Sequence, residues 1–358
     1  MRIGIIGAGQ LGQMLGFAAR DLGMQCLFVD PADNPPAAVC GTVLQADFDD
    51  PTALATLARD CDVVTYEFEN VPVDALQHIV DRVPVYPPPD ALRHAQDRLV
   101  EKRLFDSLSI PLPAYHQVDS LSDLHAAANS VGLPLVLKTR RLGYDGKGQF
   151  VVRQPEDIAL AWEQLGAQAL IAEAWVEFDF EVSAIGARNV AGDVINFPLT
   201  QNKHAGGILH TSRAPIANTI IAAQAERYMT DLLEHLNYVG VLALELFVVG
   251  DQCFANEFAP RVHNSGHWSI EGADTSQFSA HLLAISDSDL PVPALSGHAG
   301  MLNLIGEIPE RARKLTYGIL HDYGKEPRPG RKLGHITVVA DSAADRDSQL
   351  AEIEQNVT

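Results

Sequence analysis

Residues 240–268 of this 358-residue chain, GVLALELFVVGDQCFANEFAPRVHNSGHW, form the segment that decides the fold. Two apolar stretches flank the turn-forming pair Gly250–Asp251, which predicts an antiparallel β-hairpin. On that hairpin Glu245 and Glu257 fall opposite or nearly opposite each other. Facing carboxylates repel and are costly to bury without a partner, whereas a divalent cation removes both penalties. The pair therefore predicts a Mg²⁺ site with two glutamate ligands, the alternative being two solvated side chains at a strand edge.

Polar side chains crowd the loop after the hairpin, APRVHNSGHW at 259–268. A single Arg or His in such a loop is more often structural than functional. Here several donors and proton carriers stand together beside the predicted metal site, which suits the binding of a small anion. These residues are Arg261, His263, Asn264, Ser265 and His267.

A glycine-containing segment, KTRRLGYDGKGQ at 138–149, follows an apolar strand pattern. Its glycines make a loop that can fold over nucleotide phosphates, with backbone N–H groups and Lys147 as donors. The segment is not a Walker A motif. A surface linker is the alternative, but a linker would not require Lys138 at the end of an apolar strand.

Basic residues are concentrated in KEPRPGRKLGH at 325–335, although the net charge of the whole chain is −20. A local basic cluster against that background predicts a phosphate pocket. The alternative is a solvated basic loop. The cluster consists of Lys325, Arg328, Arg331, Lys332 and His335.

Near the N-terminus, GAGQLG at 7–12 lies where a predicted strand meets a predicted helix. Its glycines fit the dinucleotide fingerprint, and Asp30 stands at the end of the second strand, about twenty residues further on. Taken alone, this motif predicts an NAD-binding Rossmann domain. The alternative is a tight turn before a helix N-terminus that can receive another anion, and Gln10 suits a ligand other than a pyrophosphate.

Strand and helix patterns alternate along the first hundred residues, which predicts an open parallel sheet. The three consecutive prolines of VYPPPD at 85–90 end this region. A small α+β unit follows, and then a region with antiparallel signals. The predicted elements include strands 2–6, 25–30, 63–66 and 171–176, and helices 10–22, 51–58, 73–80 and 98–107.

The composition, with 47% hydrophobic and 20% charged residues, predicts a globular protein of two or three domains. The acidic balance argues against nucleic acid and anionic membrane surfaces as partners. The sequence contains neither an apolar run of about eighteen residues nor a leader-like N-terminus. Its 4 cysteines show no disulfide or zinc spacing, which predicts reduced thiols and a cytoplasmic location.

In this order and spacing, the motifs resemble those of the ATP-grasp enzymes and, more narrowly, of the N5-carboxyaminoimidazole ribonucleotide synthetases of purine biosynthesis. The resemblance extends over nearly the whole chain, and its last three motifs are the specific ones. The motifs are GAGQLG, TYEFENV (65–71), GYDGKGQ (143–149), NEFAPRVHNSGHW (256–268) and RPGRKLGH (328–335).

The resemblance implies an ATP-grasp fold of mixed α/β and α+β class. The expected domains are an N-terminal Rossmann-like, pre-ATP-grasp parallel-sheet domain at 1–96, a small mobile central domain at 97–178, and a larger mixed-sheet C-terminal domain at 179–358. The implied cofactors are ATP and Mg²⁺, and the implied substrates are bicarbonate and 5-aminoimidazole ribonucleotide. Carboxyphosphate would form first and carboxylate the exocyclic amine. A cytoplasmic homodimer is also implied.

The resemblance also assigns site residues. Arg261, His263 and Asp145 are expected to be catalytic, and Glu245 and Glu257 to bind the metal. The nucleotide is expected to meet Arg98, Lys138, Gly143, Tyr144, Asp145, Gly146, Lys147, Gly148, Gln149, Glu173, Ala174, Trp175, Val176, Glu181, His204, Asn256 and Glu257. The other substrates are expected to meet Gln10, Leu11, Tyr144, Asp145, Asn264, Ser265, Lys325, Arg331 and Lys332.

Two positions depart from the wider superfamily. Many ATP-grasp enzymes place a metal-binding Asn where this chain has Ala259, and biotin carboxylases place a glutamate base where it has Ser265. Bicarbonate must then be handled differently, which argues against biotin. The alternatives are a formate-dependent glycinamide ribonucleotide transformylase, an NAD-dependent oxidoreductase and a regulatory protein without turnover. The oxidoreductase leaves the Glu245/Glu257 hairpin and the basic cluster at 325–335 without a purpose. The intact glutamate pair and Arg261 argue against a regulatory protein.

Overall fold

A computed structural model describes residues 1–143 and 147–357, which form three β-sheets and the helices that cover them. The strands are β1 (Arg2–Ile6), β2 (Gln25–Asp30), β3 (Thr42–Gln45), β4 (Val63–Tyr66), β5 (Tyr115–Val118), β6 (Leu135–Thr139), β7 (Gln149–Val152), β8 (Leu170–Ala174), β9 (Phe180–Arg188), β10 (Val194–Asn196), β11 (Thr200–Ala205), β12 (Ile208–Ala214), β13 (Gly240–Val249), β14 (Gln252–Ala259), β15 (His298–Ile305), β16 (Ile319–Asp322) and β17 (Lys332–Ala340). The helices are α1 (Gln10–Asp21), α2 (Pro51–Asp60), α3 (Val73–Leu76), α4 (Pro89–Ala95), α5 (Arg98–Ser107), α6 (Leu121–Ser130), α7 (Asp157–Leu165), α8 (Thr219–His235), α9 (Ser269–Gly272), α10 (Gln277–Ile285) and α11 (Ala343–Val357).

The N-terminal sheet has the strand order β3-β2-β1-β4, and all its pairs are parallel, which confirms the predicted open parallel sheet. Helix α2 begins where expected because Asp50 caps it, accepting hydrogen bonds from the N–H groups of Thr52 (2.9 Å) and Ala53 (2.7 Å). The predicted helix 73–80 is wrong in length. After Leu76 the N–H groups of His78 and Ile79 bond to carbonyls three residues back, and the chain continues as turns.

The second sheet has the order β5-β8-β6-β7 and is antiparallel. Strand β8 ends at Ala174, so the predicted strand 171–176 is two residues too long. The N–H of Trp175 still bonds to the carbonyl of Pro134 (3.1 Å), but a proline has no N–H with which to continue the ladder. Trp175 therefore leaves the sheet, and its side chain is 41% exposed.

The third sheet has the order β14-β13-β9-β11-β12-β15-β17-β16, with β10 paired to β9, and its strands are antiparallel. The predicted hairpin is strands β13 and β14, and Glu245 lies directly opposite Glu257 in its register. Helices α8 and α10 pack against β13, which explains why residues 241–244 are all buried and apolar. None of the described helices is both long and apolar enough to cross a bilayer.

His281 of α10 connects the N-terminal sheet to the third sheet. Its Nδ1 accepts a hydrogen bond from the N–H of Val241 (3.1 Å), so the proton sits on Nε2, which lies 2.9 Å from the hydroxyl of Thr65 on β4. The ring is fully buried, and burial lowers the pKa of His281 to about 3. The imidazole is therefore neutral in the folded protein at physiological pH.

We expect His281 to make the protein less stable in acid. Below about pH 6.5 this residue is protonated in the unfolded chain but neutral in the folded one, so the unfolded state binds more protons. As the pH falls from about 6.5 toward about 3, the free energy of unfolding should lose about 1.4 kcal/mol per pH unit through this residue. Urea denaturation at several pH values, on the wild type and on His281→Gln, measures the effect.

The wild type should lose its stability advantage over His281→Gln as the pH decreases. The exposed His78 supplies a control, because His78→Gln breaks no buried contact. A difference in unfolding free energy between wild type and His281→Gln that stays constant between about pH 6.5 and about pH 4.5 would contradict a neutral, buried His281.

Candidate active site

Two adjoining cavities lie where the three sheets meet. The smaller has a volume of about 200 Å³ and the larger about 870 Å³. The smaller is lined by Gln10 and Leu11 of α1, and the larger by Glu181 and His204 of the third sheet. The residues that line both are Arg98, Glu245, Glu257, His263, Asn264 and Lys332.

The Glu245/Glu257 pair lies at this junction. Arg98 approaches Glu257, with Nη2 3.3 Å from Oε2, and His263 Nε2 lies 3.4 Å from Glu245 Oε1. Burial and the charge of Glu257 raise the pKa of Glu245 to about 7. The residues present therefore leave the pair short of positive charge, and oxygen donors of this kind fit a hard cation such as Mg²⁺. The predicted pairing of the two carboxylates across the strands is confirmed.

A buried ion pair fixes the lysine of the second sheet. Lys138 Nζ lies 3.0 Å from Glu173 Oε2, and the buried Lys102 Nζ lies 3.5 Å from the same oxygen. Burial disfavours a charged Glu173, but the two lysines outweigh it and lower the pKa of Glu173 to about 2. The side chain of Glu173 thus serves as counter-ion to Lys138, and Glu173 lines neither cavity.

The larger cavity collects about half of the residues expected at the nucleotide. Glu181 Oε2 and His204 Nδ1 are 2.7 Å apart. Burial opposes the protonation of His204, but the hydrogen bond to Glu181 and the charge of Glu245 raise its pKa. Lining this cavity are also Arg98, Lys138, Gln149, Trp175, Asn256 and Glu257.

Among the other expected nucleotide residues that the structure describes, only Gly143 lines either cavity. Gly143 lines the smaller cavity, and its carbonyl lies 3.4 Å from Arg98 Nη2. Ala174 and Val176 flank Trp175, both half-buried, while Lys147 and Gly148 precede β7. Tyr144, Asp145 and Gly146 lie outside the described residues, so their expected contacts and the catalytic role of Asp145 remain predictions.

The loop after the hairpin presents Arg261 and His263 to the smaller cavity. Arg261 Nε donates to Glu69 Oε2, and Nη1 donates to the carbonyl of Val262 (3.0 Å). Glu69 was not identified from the sequence as a partner of Arg261. The two hydrogen bonds hold the guanidinium of Arg261 in place without a bound ligand. Burial and the charge of Arg261 hold the pKa of His263 well below its usual value. His263 is therefore a neutral imidazole.

Asn264 and Ser265 have different surroundings. Asn264 lines both cavities and exchanges amide hydrogen bonds with Asn303 (3.1 and 2.8 Å). Ser265 is fully buried behind His263, with Oγ 2.8 Å from Nδ1. It orients the imidazole, and the expected contact of Ser265 with substrate is not evident.

The basic cluster is only partly assembled at the site. Lys325 Nζ donates to Gln10 Oε1, while Arg331 Nη1 donates to the carbonyl of Glu326 (3.1 Å). Burial and repulsion from Arg331 lower the pKa of Lys325 to about 8. Lys332 lines both cavities.

The assignment of His335 to the basic cluster is wrong. This residue is fully buried, stacks on His321 with ring centroids 4.4 Å apart, and bonds through Nδ1 to the hydroxyl of Tyr323 (2.8 Å). Burial holds the pKa of His335 well below its usual value, so it adds no charge to a phosphate pocket. Residues 333–338 of its strand are all buried, and His335 lies among them.

Several residues of the smaller cavity were not predicted from the sequence. A signal was available for two of them: Glu69 and Asn70 follow the carboxyl end of a parallel strand, where ligands bind in open α/β sheets. Glu101 lies on the buried face of α5, where it accepts the N–H of Phe258 (2.7 Å), and burial raises its pKa to about 8. The residues missed there are Glu69, Asn70, Gln96 and Glu101.

Backbone N–H groups of the fingerprint loop GAGQLG donate hydrogen bonds to carboxylates of the chain itself. The N–H of Ala8 donates to Asp30 Oδ2 (2.8 Å), and the N–H of Gly12 donates to Glu67 Oε2 (2.5 Å). The N–H of Gly9 donates to the other oxygen of Glu67. Asp30, the carboxylate expected to read a dinucleotide, is thus engaged with the loop itself.

Comparison with protein families supports the sequence-based resemblance in three parts of the chain. The ribonucleotide synthetase preATP-grasp domain matches residues 1–96. The ATP-grasp domain matches residues 103–278. The phosphoribosylaminoimidazole carboxylase C-terminal domain matches residues 299–349.

Individual relatives agree over the full length. The N5-carboxyaminoimidazole ribonucleotide synthase of Pseudomonas aeruginosa is 46% identical over 356 residues, which are 99% of each chain. The crystal structure of the synthetase from Thermus thermophilus is 46% identical, covers 99% of this chain and 98% of its own, and gives a TM-score of 0.95. The Aspergillus clavatus enzyme in complex with ADP and 5-aminoimidazole ribonucleotide is 30% identical, covers 99% and 97%, and gives a TM-score of 0.92. The chain belongs to the N5-carboxyaminoimidazole ribonucleotide synthase family of ATP-grasp ligases.

Proposed function

We propose that this chain carboxylates the exocyclic amine of 5-aminoimidazole ribonucleotide with bicarbonate and ATP, giving N5-carboxyaminoimidazole ribonucleotide, ADP and phosphate. The observation that carries the proposal is the Glu245/Glu257 pair, which stands between a large and a small cavity. A nucleotide fits the large cavity, and small polar reactants fit the small one. Glu245 and Glu257 line both cavities and can therefore contact the reactants in each. The relative from Aspergillus clavatus, with ADP and 5-aminoimidazole ribonucleotide, supports this assignment.

ATP is assigned to the larger cavity. Glu181 offers a carboxylate to ribose hydroxyls, and Trp175 offers an exposed ring and backbone groups to adenine. Lys138 faces the same cavity and would exchange part of its pairing with Glu173 for a phosphate. Arg98, already 3.3 Å from Glu257, lies where the phosphate end meets the smaller cavity.

Glu245 and Glu257 would hold Mg²⁺, which when bound neutralises charge on the phosphates. No cluster of three or more His, Cys, Asp or Glu that could bind a metal occurs among the described residues. A site of two carboxylates fits Mg²⁺, which keeps several waters and takes further oxygens from substrate phosphates. The raised pKa of Glu245 means that the pair gains from an added positive charge.

Bicarbonate is assigned to the smaller cavity, beside Arg261, His263 and Asn264. Phosphorylation turns a poor electrophile into one with a good leaving group, and Arg261 can balance the negative charge that develops. His263 is neutral with a lowered pKa, so its ring is a weak base that can donate a hydrogen bond. A cavity of about 200 Å³ also limits the water that would hydrolyse carboxyphosphate.

The ribonucleotide is assigned to the edge formed by Gln10, Leu11 and the basic residues of 325–332. Lys325 is held on Gln10, and the proximity of Arg331 adds to burial in lowering its pKa, so a phosphate dianion would relieve the repulsion between the two cations. Tyr144 and Asp145 are proposed to meet the amine and its ring, as the family resemblance implies. We also propose the domain limits 1–96, 97–178 and 179–358, and a cytoplasmic homodimer, on the same family grounds.

The reaction predicts Mg²⁺-dependent ADP release that is strongly stimulated by 5-aminoimidazole ribonucleotide in the presence of bicarbonate. A coupled assay of ADP, with each candidate substrate in turn, measures it. Equal release with glycinamide ribonucleotide plus formate would favour the transformylase instead. Tight binding of NADH, monitored by nicotinamide fluorescence, would favour the oxidoreductase. In this chain, however, the N–H groups of the fingerprint loop are already bonded to Asp30 and Glu67.

The metal assignment predicts that Glu245→Gln and Glu257→Gln each lose most of kcat while the fold survives. Losing a metal ligand should cost at least as much as losing an outer contact, about ten- to a hundredfold. Removal of one of two facing like charges should leave the protein without bound nucleotide as stable or more stable. Steady-state kinetics across Mg²⁺ concentrations and thermal denaturation test both statements.

The exposed Glu310, 4.0 Å from Lys314, gives a matched control, and Glu310→Gln should behave as wild type. Near-normal turnover of Glu245→Gln or Glu257→Gln at limiting Mg²⁺ would mean that the replaced carboxylate does not bind the metal.

The bicarbonate assignment predicts that Arg261→Lys fails almost as badly as Arg261→Ala. A lysine keeps the charge but loses the planar donors that match a carboxylate and that bind Glu69. We expect a loss of about a hundredfold in ADP formation, and His263→Asn should slow the same step. The paired measurement is ADP release and labelled bicarbonate fixed into acid-labile product.

Arg313→Lys serves as the control, since Arg313 forms an exposed ion pair with Asp322 (2.7 Å). Wild-type ADP release by His263→Asn without fixed label would place His263 after phosphorylation, at carboxyl transfer. Full activity of Arg261→Lys in both measurements would move the anion site elsewhere.

A further inference from the structure

The N-terminus of α1 holds an anion that belongs to the chain itself. In a dinucleotide-binding protein the N–H groups of this loop receive a pyrophosphate, favoured by the positive end of the helix dipole. Here the two oxygens of Glu67 accept the N–H groups of Gly9 and Gly12, and Asp30 accepts that of Ala8. The carboxylate of Glu67 therefore lies in the place of an external phosphate.

The glycines of the loop make room for this carboxylate. A Cβ on Gly7 would lie 2.5 Å from Glu67 Cγ, and one on Gly9 would lie 2.7 Å from Glu67 Oε1. Gly7 also has φ +98°, a backbone conformation that side chains rarely adopt. The close approach of Glu67 thus accounts for the glycines without a bound nucleotide.

The two residues between Gly9 and Gly12 lie at the smaller cavity. Gln10 and Leu11 line the smaller cavity, and Gln10 Oε1 accepts a hydrogen bond from Lys325 Nζ. The charge of Glu67 also acts on the pKa of Lys325, where it opposes the effects of burial and of Arg331. One buried carboxylate therefore fixes the backbone that carries Gln10 and attracts the cation that Gln10 holds.

We propose that Glu67 is a positioning residue for the ribonucleotide: it holds Gln10 and Lys325 in place and fills the helix N-terminus against dinucleotide phosphates. This inference rests on the proposed function, because the ribonucleotide is the ligand that Gln10 and Lys325 meet. Glu67 itself lines neither cavity. Its loss should then weaken ribonucleotide binding and leave ATP binding alone.

Both oxygens of the carboxylate are needed. Glu67→Gln keeps the volume, but its amide nitrogen is a donor and would face a backbone N–H donor. Glu67→Ala removes both acceptors and opens a space at the positive end of α1 that a small carboxylate can enter. Comparison of the two variants thus distinguishes the effect of losing the negative charge from the effect of losing the side-chain volume.

The experiment measures ADP release by the full chain at saturating ATP, Mg²⁺ and bicarbonate, with 5-aminoimidazole ribonucleotide varied and then with ATP varied. Both variants should raise the apparent KM for the ribonucleotide about ten- to a hundredfold, the loss expected for misplaced charge-assisted contacts. The KM for ATP should stay within about twofold of wild type. Acetate in excess should lower the raised KM of Glu67→Ala and leave wild type and Glu67→Gln unchanged.

The matched control is Asp50→Ala. Asp50 is a carboxylate that also caps a helix, since it accepts the N–H groups of Thr52 and Ala53 at the N-terminus of α2. It lines neither cavity. It should lower the thermal midpoint without changing either KM. Should Glu67→Ala fail to fold, Glu67→Gln retains the volume and carries the KM comparison alone.

Variants that lose stability but keep the wild-type KM for the ribonucleotide would overturn the inference and leave the proposed function standing. An equal rise of the KM for ATP, or acetate rescue in Glu67→Gln as well, would overturn it too. A wild type with no ribonucleotide-dependent ADP release would overturn the proposed function and, with it, this inference.

Discussion

The repulsion between Glu245 and Glu257 is the constraint around which this molecule is arranged. An antiparallel register places the two carboxylates directly opposite each other, and burial together with the charge of Glu257 makes Glu245 costly to ionise. Arg98 and His263 approach the pair from different elements, yet Glu245 keeps a raised pKa of about 7. The remaining deficit of positive charge lies between the two cavities, where a metal with substrate phosphates would remove it.

A second regularity is that Lys138 and Arg261 already have carboxylate partners within the chain. Lys138 is paired with Glu173, and Arg261 with Glu69. A buried charge left alone would cost several kcal/mol, so these partners allow the site to exist before any anion arrives. An incoming phosphate or bicarbonate replaces or joins an existing anion. The binding free energy therefore depends on how much stronger the ion pair with the ligand is than the internal ion pair. Ligands with several oxygens, or with a planar pair of them, form the stronger ion pairs.

Much of this arrangement could be predicted from the sequence where local chemistry and pattern agreed. The hairpin followed from two apolar stretches around a Gly–Asp turn, and the facing of Glu245 and Glu257 followed from its register. Helix α2 followed from Pro51 behind Asp50. Boundaries failed where the deciding contact lay elsewhere in the chain: β8 ends because Pro134, next to the neighbouring strand, cannot donate a hydrogen bond.

The residues that sequence reasoning missed or misjudged are those whose partners are distant in the chain. Glu69 and Arg261 are 192 residues apart, and each had to be judged without the other. His335 stood in a basic run, but residues 333–338 of β17 are all buried in the fold, where His335 bonds to Tyr323. The fingerprint loop was interpreted as a site for an external phosphate because its glycines indicate only that something anionic comes close. Only the fold shows that the anion is Glu67, at the end of the adjacent strand, since a carboxylate supplied by the chain and a phosphate supplied by a ligand require the same glycines.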